Sequence, residues 1–161
     1  MERKSRYFVH FPMEMPTAET AHFGPVEYAE DTVLEFPNGL PAFEQERKFI
    51  ALRGDRYEPL LFLQSVATAS LAFLAISVQS VVLDYQLELS DEDLSLLGGE
   101  ASPAETEALA LVTVSPEGEV TANLQSPVVI HHRTRRGVQV IQMNSSHSVR
   151  HPLGKEAASC S

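Results

Sequence analysis

Apolar and polar positions along this chain fall into short, bounded runs instead of long helical stripes. HFGPVEY (22–28) and TVLEF (32–36) read as extended runs on either side of Ala29, Glu30 and Asp31, a spacing that predicts a tight hairpin. In FPNGLPAFEQERKFIAL (36–52), Pro37, Asn38 and Gly39 carry turn chemistry, because Asn and Gly tolerate positive φ. Pro41 then withholds a ladder donor, and a strand resumes over 48–53. PLLFLQS (59–65) and SLAFLAISV (70–78) are bounded apolar runs that fit buried strands better than helices, although periodicity alone does not separate the two. LALVTVS (109–115) and EVTANL (119–124) flank a turn at 115–118, and VVIHH (128–132) and VQVIQM (138–143) flank RTRRG (133–137).

One stretch breaks this rhythm. In SDEDLSLLGG (90–99), Ser90 suits an N-cap, and Asp91, Glu92 and Asp93 fill a first turn where the helix dipole favours anions. Gly98 or Gly99 closes what reads as a short helix. The pattern as a whole predicts an all-β, mainly antiparallel fold of barrel or sandwich type, with nine or ten short strands and one clear short helix. Residues 1–21 read as a flexible arm, 22–151 as a single domain and 152–161 as a flexible tail.

Charge changes the picture more through its distribution than its sum. The 161 residues carry a formal net charge of −10. Residues 1–56 account for −3 and residues 133–161 for +4, while the span between Arg56 and Arg133 holds eleven Asp/Glu and no Lys or Arg. Such a block repels a phosphate backbone and speeds encounter with a basic protein, unless it serves only to keep the surface soluble. Against it stand Arg133, Arg135 and Arg136. They read as the exposed tip of a hairpin closed by Gly137, in preference to a nucleic-acid grip, since no aromatics interleave with them for base stacking.

Candidate chemistry is sparse. The one cysteine, Cys160, stands in the tail and allows neither an internal disulfide nor a cysteine zinc site. His131 and His132 are adjacent on a strand and point to opposite faces. His147 and His151 have helical i, i+4 spacing without a third ligand nearby. The acidic run 91–93 lacks the pattern of a calcium loop, and Gly98-Gly99 lacks that of a phosphate loop. No enzymatic activity, metal or cofactor is expected. With no secretory signal and no apolar run long enough to span a bilayer, a cytoplasmic protein is the expectation, and with no long apolar stripe or heptad pattern, a monomer.

FPNGLPAFEQERKF (36–49), PLLFLQS (59–65), LDYQLELSDEDL (83–94), VTANLQSPVVI (120–130) and GVQVI (137–141) together resemble the flagellar assembly factor FliW family, in order, over roughly 23–150. Ala42 departs from that pattern, which usually carries Gly there. The resemblance implies a small β-barrel-like fold with one or two short helices and no enzymatic activity. It also implies two partners, flagellin and the translational repressor CsrA. Relief of CsrA repression of flagellin mRNA would couple flagellin synthesis to assembly; the alternative is a flagellin-specific export or folding chaperone without a translational role. Partner-binding candidates at positions within these motifs are Asn38, Leu40, Phe43, Gln64, Asp84, Tyr85, Asp91, Glu92, Asp93, Asn123, Gln125 and Gln139. Leu40 and Phe43 are the exposed-apolar candidates, with Phe43 reading as a plug into its own core in preference to an interface anchor; Asn38, Gln64, Asn123, Gln125 and Gln139 have the competing role of satisfying backbone groups.

Overall fold

The β-rich runs become strands whose pairing closes on itself. The computed structural model of the chain describes residues 15–143 and 146–154. Its strands are β1 (Thr17–Thr20), β2 (Gly24–Glu27), β3 (Leu34–Glu35), β4 (Lys48–Leu52), β5 (Leu60–Ser65), β6 (Ala72–Ser77), β7 (Thr106–Val114), β8 (Val120–Ala122), β9 (Val128–His131), β10 (Arg136–Gln139) and β11 (His151–Pro152). Two short helices join them, α1 (Val78–Val81) and α2 (Asp91–Leu96). The sheet runs β7–β6–β5–β4–β3–β10–β9, and β9 returns to pair with the first half of β7, so the sheet closes as a barrel. All of these pairings are antiparallel except β3–β10. The second half of β7 diverges to pair β8, which β11 flanks at the edge.

Inside the ring, Leu34, Phe36, Leu40, Phe49, Leu61, Leu63, Leu109 and Ile130 form the main core. A second cluster lies under α1 and β8 around Tyr85, Ile76 and Leu124, and a third joins Leu97 of the α2 end to Val129, Val138 and Val140. The Tyr85 hydroxyl donates to Leu124 O at 2.5 Å. Burial pushes its pKa above the ordinary value of 10.0. The unfolded chain therefore releases this proton first. The stability contributed by the neutral hydroxyl is fully present below pH about 10 and is lost as pH rises through the folded value. Urea midpoints measured from pH 8 to 11 should fall at the alkaline end. Tyr85→Phe should lose about 1 kcal/mol at neutral pH and have a shallower alkaline fall.

Three local expectations change. The hairpin expected across 29–31 does not form: a 3-10 turn at Glu30–Thr32 redirects the chain, β2 pairs β1, and β3 pairs β4 and β10. Residues 17–20, read as part of the flexible arm, are strand β1. Ala18 and Thr20 are buried there, and Thr20 Oγ1 holds the turn by donating to Gly24 O and accepting from Phe23 N. Residues 1–14 and 155–161 of the expected arm and tail lie outside the described residues.

The third change concerns the arginine hairpin. Arg136 pairs with His131 and Gly137 with Ile130, so both belong to the strand, and the residue with positive φ in the turn is Arg135 (φ 58°). Gly137 does not close the loop. A Cβ there would meet the Phe36 ring at 2.6 Å, so glycine is required for close packing against a buried aromatic. The three arginines engage separately. Arg133 Nε donates to Glu105 Oε2 at 3.3 Å, an Arg135 guanidinium nitrogen donates to Thr32 O at 2.9 Å, and exposed Arg136 stands in register with Glu35. The Glu105 carboxyl is held below its ordinary pKa by its hydrogen bond to Ser102 and then by Arg133.

Candidate partner-binding groove

The turn chemistry of 36–44 builds one wall of a groove on the barrel's outside. Gly39 N–H donates to Phe36 O at 2.9 Å, closing a first turn through Pro37 and Asn38. Gly39 has φ 64°, and a Cβ there would lie 2.6 Å from the Glu44 Cα and carbonyl oxygen. Phe43 N–H donates to Leu40 O at 2.7 Å, closing a second turn with Pro41 and then Ala42 at φ 72°. A Pro followed by a left-handed residue is the type II arrangement, in which glycine is the unstrained occupant. Ala42 therefore keeps the turn at the cost of backbone strain. Ala42→Gly should raise stability by about 0.5–1 kcal/mol, visible as a higher urea midpoint with unchanged slope.

The second wall is α2 and its approach. Ser90 Oγ accepts from Asp93 N–H at 3.0 Å, and the Asp93 carboxylate accepts from Ser90 N–H at 3.0 Å, a reciprocal cap that fixes the helix start. The floor and far rim come from the end of β10 and residues 140–143, whose backbone continues the pairing: Val140 N–H donates to Pro127 O and Gln142 N–H to Gln125 O, each at 2.9 Å. Val138, Val140 and Gln142 are buried, while Ile141 and Met143 are 62% and 79% exposed. The alternation is thus inverted at its end, with a polar side chain inside and two apolar ones outside. Gln142 is satisfied by a clasp: its Oε1 accepts from Glu88 N–H at 2.8 Å and its Nε2 donates to Glu88 O at 2.9 Å. That side chain behaves as a strand residue toward segment 87–89 and ties the α2 wall to the floor.

The groove so enclosed has a volume of about 650 Å³. Glu44, Glu88, Glu92 and Asp93 line it, Ile141 and Met143 present apolar surface to it, and none of its lining residues is Lys or Arg.

Of the residues expected at a partner site, the groove brings together Asn38, Glu92, Asp93 and Gln139. Asp91 is exposed on the first turn of α2, and Asp84 is exposed further back along the chain. The others stand elsewhere or inside. Leu40, a candidate for exposure, is instead buried in the main core with Phe36 and Phe49, at the start of the second turn. Phe43 remains 38% exposed and packs edge-on to Phe73 at 5.4 Å between centroids. Gln64 is fully buried, with Nε2 within 3.1–3.3 Å of Ser65, Thr68, Ala69 and Leu71 carbonyls, pinning the β5–β6 turn. Tyr85 is buried. Asn123 Oδ1 accepts from the Gln125 and Ser126 N–H groups, and Gln139 Nε2 donates to Ser126 O, so the T-A-N-L element is a backbone-satisfying turn. The Gln125 carbonyl is used by Gln142 N–H, and its side chain is half-buried.

Residues with chemical potential outside the groove are engaged structurally. His131 is buried; its Nδ1 accepts from Arg133 N–H, which leaves the Nε2 proton for Glu100 O at 3.1 Å. His132 points outward toward Glu107 (3.5 Å), which also receives Arg53 at 3.0 Å. His147 stacks on Tyr85 at 4.5 Å, and His151 lies in β11, so the two are not a helical pair. Among the described residues no group of three or more His, Cys, Asp or Glu is placed to hold a metal ion, and no helix is long and apolar enough to cross a membrane.

Fold and groove together define a small, mainly antiparallel β-barrel with an acid-lined, partly apolar recess on its outer face. The family model described as FliW protein matches residues 17–153. The chain is 36% identical over 135 residues to the flagellar assembly factor FliW of Natranaerobius thermophilus, covering 82% of this chain and 88% of that one. It is 36% identical over 140 residues to the flagellar assembly factor FliW of Bacillus licheniformis, covering 86% and 97% respectively. A solved structure, the crystal structure of the flagellar assembly factor FliW, superposes with a TM-score of 0.76 at 33% identity, covering 88% of this chain and 99% of that one. The chain belongs to the FliW family of flagellar assembly factors.

Proposed function

We propose that this chain is a non-enzymatic, cytoplasmic regulator that binds flagellin and a CsrA-type translational repressor, relieves repression of flagellin mRNA and so couples flagellin synthesis to assembly. Membership of the FliW family supports the flagellar setting. The observation that carries the repressor half is electrostatic. A repressor that grips RNA must display Lys and Arg for phosphates. Here the span between Arg56 and Arg133 carries eleven carboxylates and no Lys or Arg, with Glu105 and Glu107 paired to Arg133 and Arg53 from outside it. That field attracts such a protein and disfavours RNA beside it. The separate engagement of Arg133 and Arg135 weakens the competing reading of a nucleic-acid grip.

Calorimetric titration of the purified protein with the repressor and, separately, with flagellin from the same organism tests the proposal. Saturable binding to both is expected, with one partner displacing the other. Binding to flagellin alone would reduce the role to that of a chaperone, and binding to neither would overturn it.

A further inference from the structure

We infer that the groove between the 38–44 turns and α2 is the docking site for one short segment of a basic, RNA-binding protein. That segment presents large apolar side chains flanked by Lys or Arg. The inference rests on the repressor half of the function proposed above and gives it a location.

Two independent features of the groove select this occupant. The first is the inverted alternation at 138–143. Ile141 and Met143 stand at 62% and 79% exposure at the end of a segment whose alternate positions, Val138, Val140 and Gln142, are buried. Neither side chain is needed by the core, and both project at a recess instead of a flat surface. Exposed apolar groups bordering a recess are the anchors that a partner's side chains bury.

The second feature is the sign of the rim. Glu44, Glu88, Glu92 and Asp93 converge on the groove from both walls with no lining cation to neutralise them. A second copy of this chain, itself at −10, is repelled there, as is a phosphate backbone. Lys or Arg flanking an apolar anchor satisfies both features at once, its aliphatic stem covering apolar surface while its charge reaches the carboxylates. The walls are already positioned, by the Ser90–Asp93 cap on one side and the paired turns on the other, so the ordering cost falls on the partner segment.

The test uses the full-length protein and the CsrA-type repressor, titrated at ~50 and ~300 mM salt, conditions that change the screening length about 2.5-fold. Glu88→Lys combined with Glu92→Lys reverses rim charge without touching the Asp93 cap. It should weaken binding at least tenfold at low salt and flatten the salt dependence. The milder pair Glu88→Gln and Glu92→Gln should move both readouts in the same direction. Ile141→Ser with Met143→Ser should weaken binding about tenfold at both salt concentrations. Thermal melts of each variant establish that the fold is intact. If the wild-type protein binds the repressor while correctly folded groove variants bind it within twofold of wild type, the docking site is overturned and the function proposed above stands. If the variants lose flagellin and keep the repressor, the groove belongs to flagellin and the inference is likewise overturned. If the wild-type protein does not bind the repressor, that reading fails and the inference falls with it.

Discussion

Gly39→Ala should lower stability by about 3 kcal/mol, a fall in melting temperature on the order of 10 °C for a chain of this size. Two costs add. The residue holds φ 64°, where a side chain is strained, and the new Cβ would be placed 2.6 Å from the Glu44 Cα and carbonyl oxygen. The obstacle is backbone and cannot be relieved by rotating a side chain, so one of the two consecutive turns must open. Leu40 lies directly after Gly39 and is buried in the main core with Phe36 and Phe49, so the opening reaches the barrel interior. Differential scanning calorimetry of the variant beside Ala42→Gly gives an internal contrast. One change adds a methyl group where left-handed backbone is crowded, and the other removes one where left-handed backbone is merely strained. Shifts of opposite sign are expected. Equal stability of the Gly39→Ala variant and the parent would mean that the turn is not built as described.

The same two turns show what sequence can and cannot convey. Turn chemistry, the α2 cap and most strands are local properties, carried by Pro37, Asn38 and Gly39, by Ser90 with Asp93, and by bounded apolar runs. Barrel closure depends on β9 meeting β7 and on β10 lying parallel to β3, pairings between distant segments that no local pattern encodes. Strand β1 was hidden because TAET is polar and gains its order from β2. Gly137 is deceptive for a related reason: beside three arginines it resembles a turn glycine, whereas its constraint is the Phe36 ring packed against it.

At the candidate site, the acidic bias was plain in the charge map, but the groove was not, since its walls come from 38–44, 88–96 and 138–143. Several motif residues that looked available for binding, Gln64 and Asn123 foremost, are occupied with backbone carbonyls or N–H groups. One local signal does mark the groove. In VQVIQM the residues in phase with buried Val138 and Val140 end on Gln142, while Ile141 and Met143, in phase with Gly137 and Gln139, are exposed where the strand runs out. A polar residue inside and apolar residues outside, at the end of an otherwise regular strand, mark a place where the strand is covered by something other than its own core.

Gln142 is where that inversion acquires a mechanism, and its removal is the second large effect expected. Gln142→Leu keeps the volume of a buried side chain but leaves the Glu88 N–H and C=O without the partners they now have at 2.8 and 2.9 Å. Each bond lost at a partly buried site costs on the order of 1 kcal/mol or more, so about 2–3 kcal/mol is expected in total. The loss should be uneven in space. Segment 87–89 is half of the link between the α2 wall and the floor, so native-state hydrogen exchange at the Glu88 amide should accelerate far more than exchange in β5 or β6. If the groove docks the repressor as proposed, its affinity should fall as well, because the Glu88 and Glu92 carboxylates are carried by that wall and Gln142 itself lines the groove. Gln142→Glu separates the two halves of the clasp: a carboxylate still accepts from Glu88 N–H but cannot donate to Glu88 O. It should therefore fall between the parent and the leucine variant in exchange protection at neutral pH. Uniform destabilisation with no local rise in exchange at Glu88 would show that Gln142 serves the core alone and does not hold the groove wall in place.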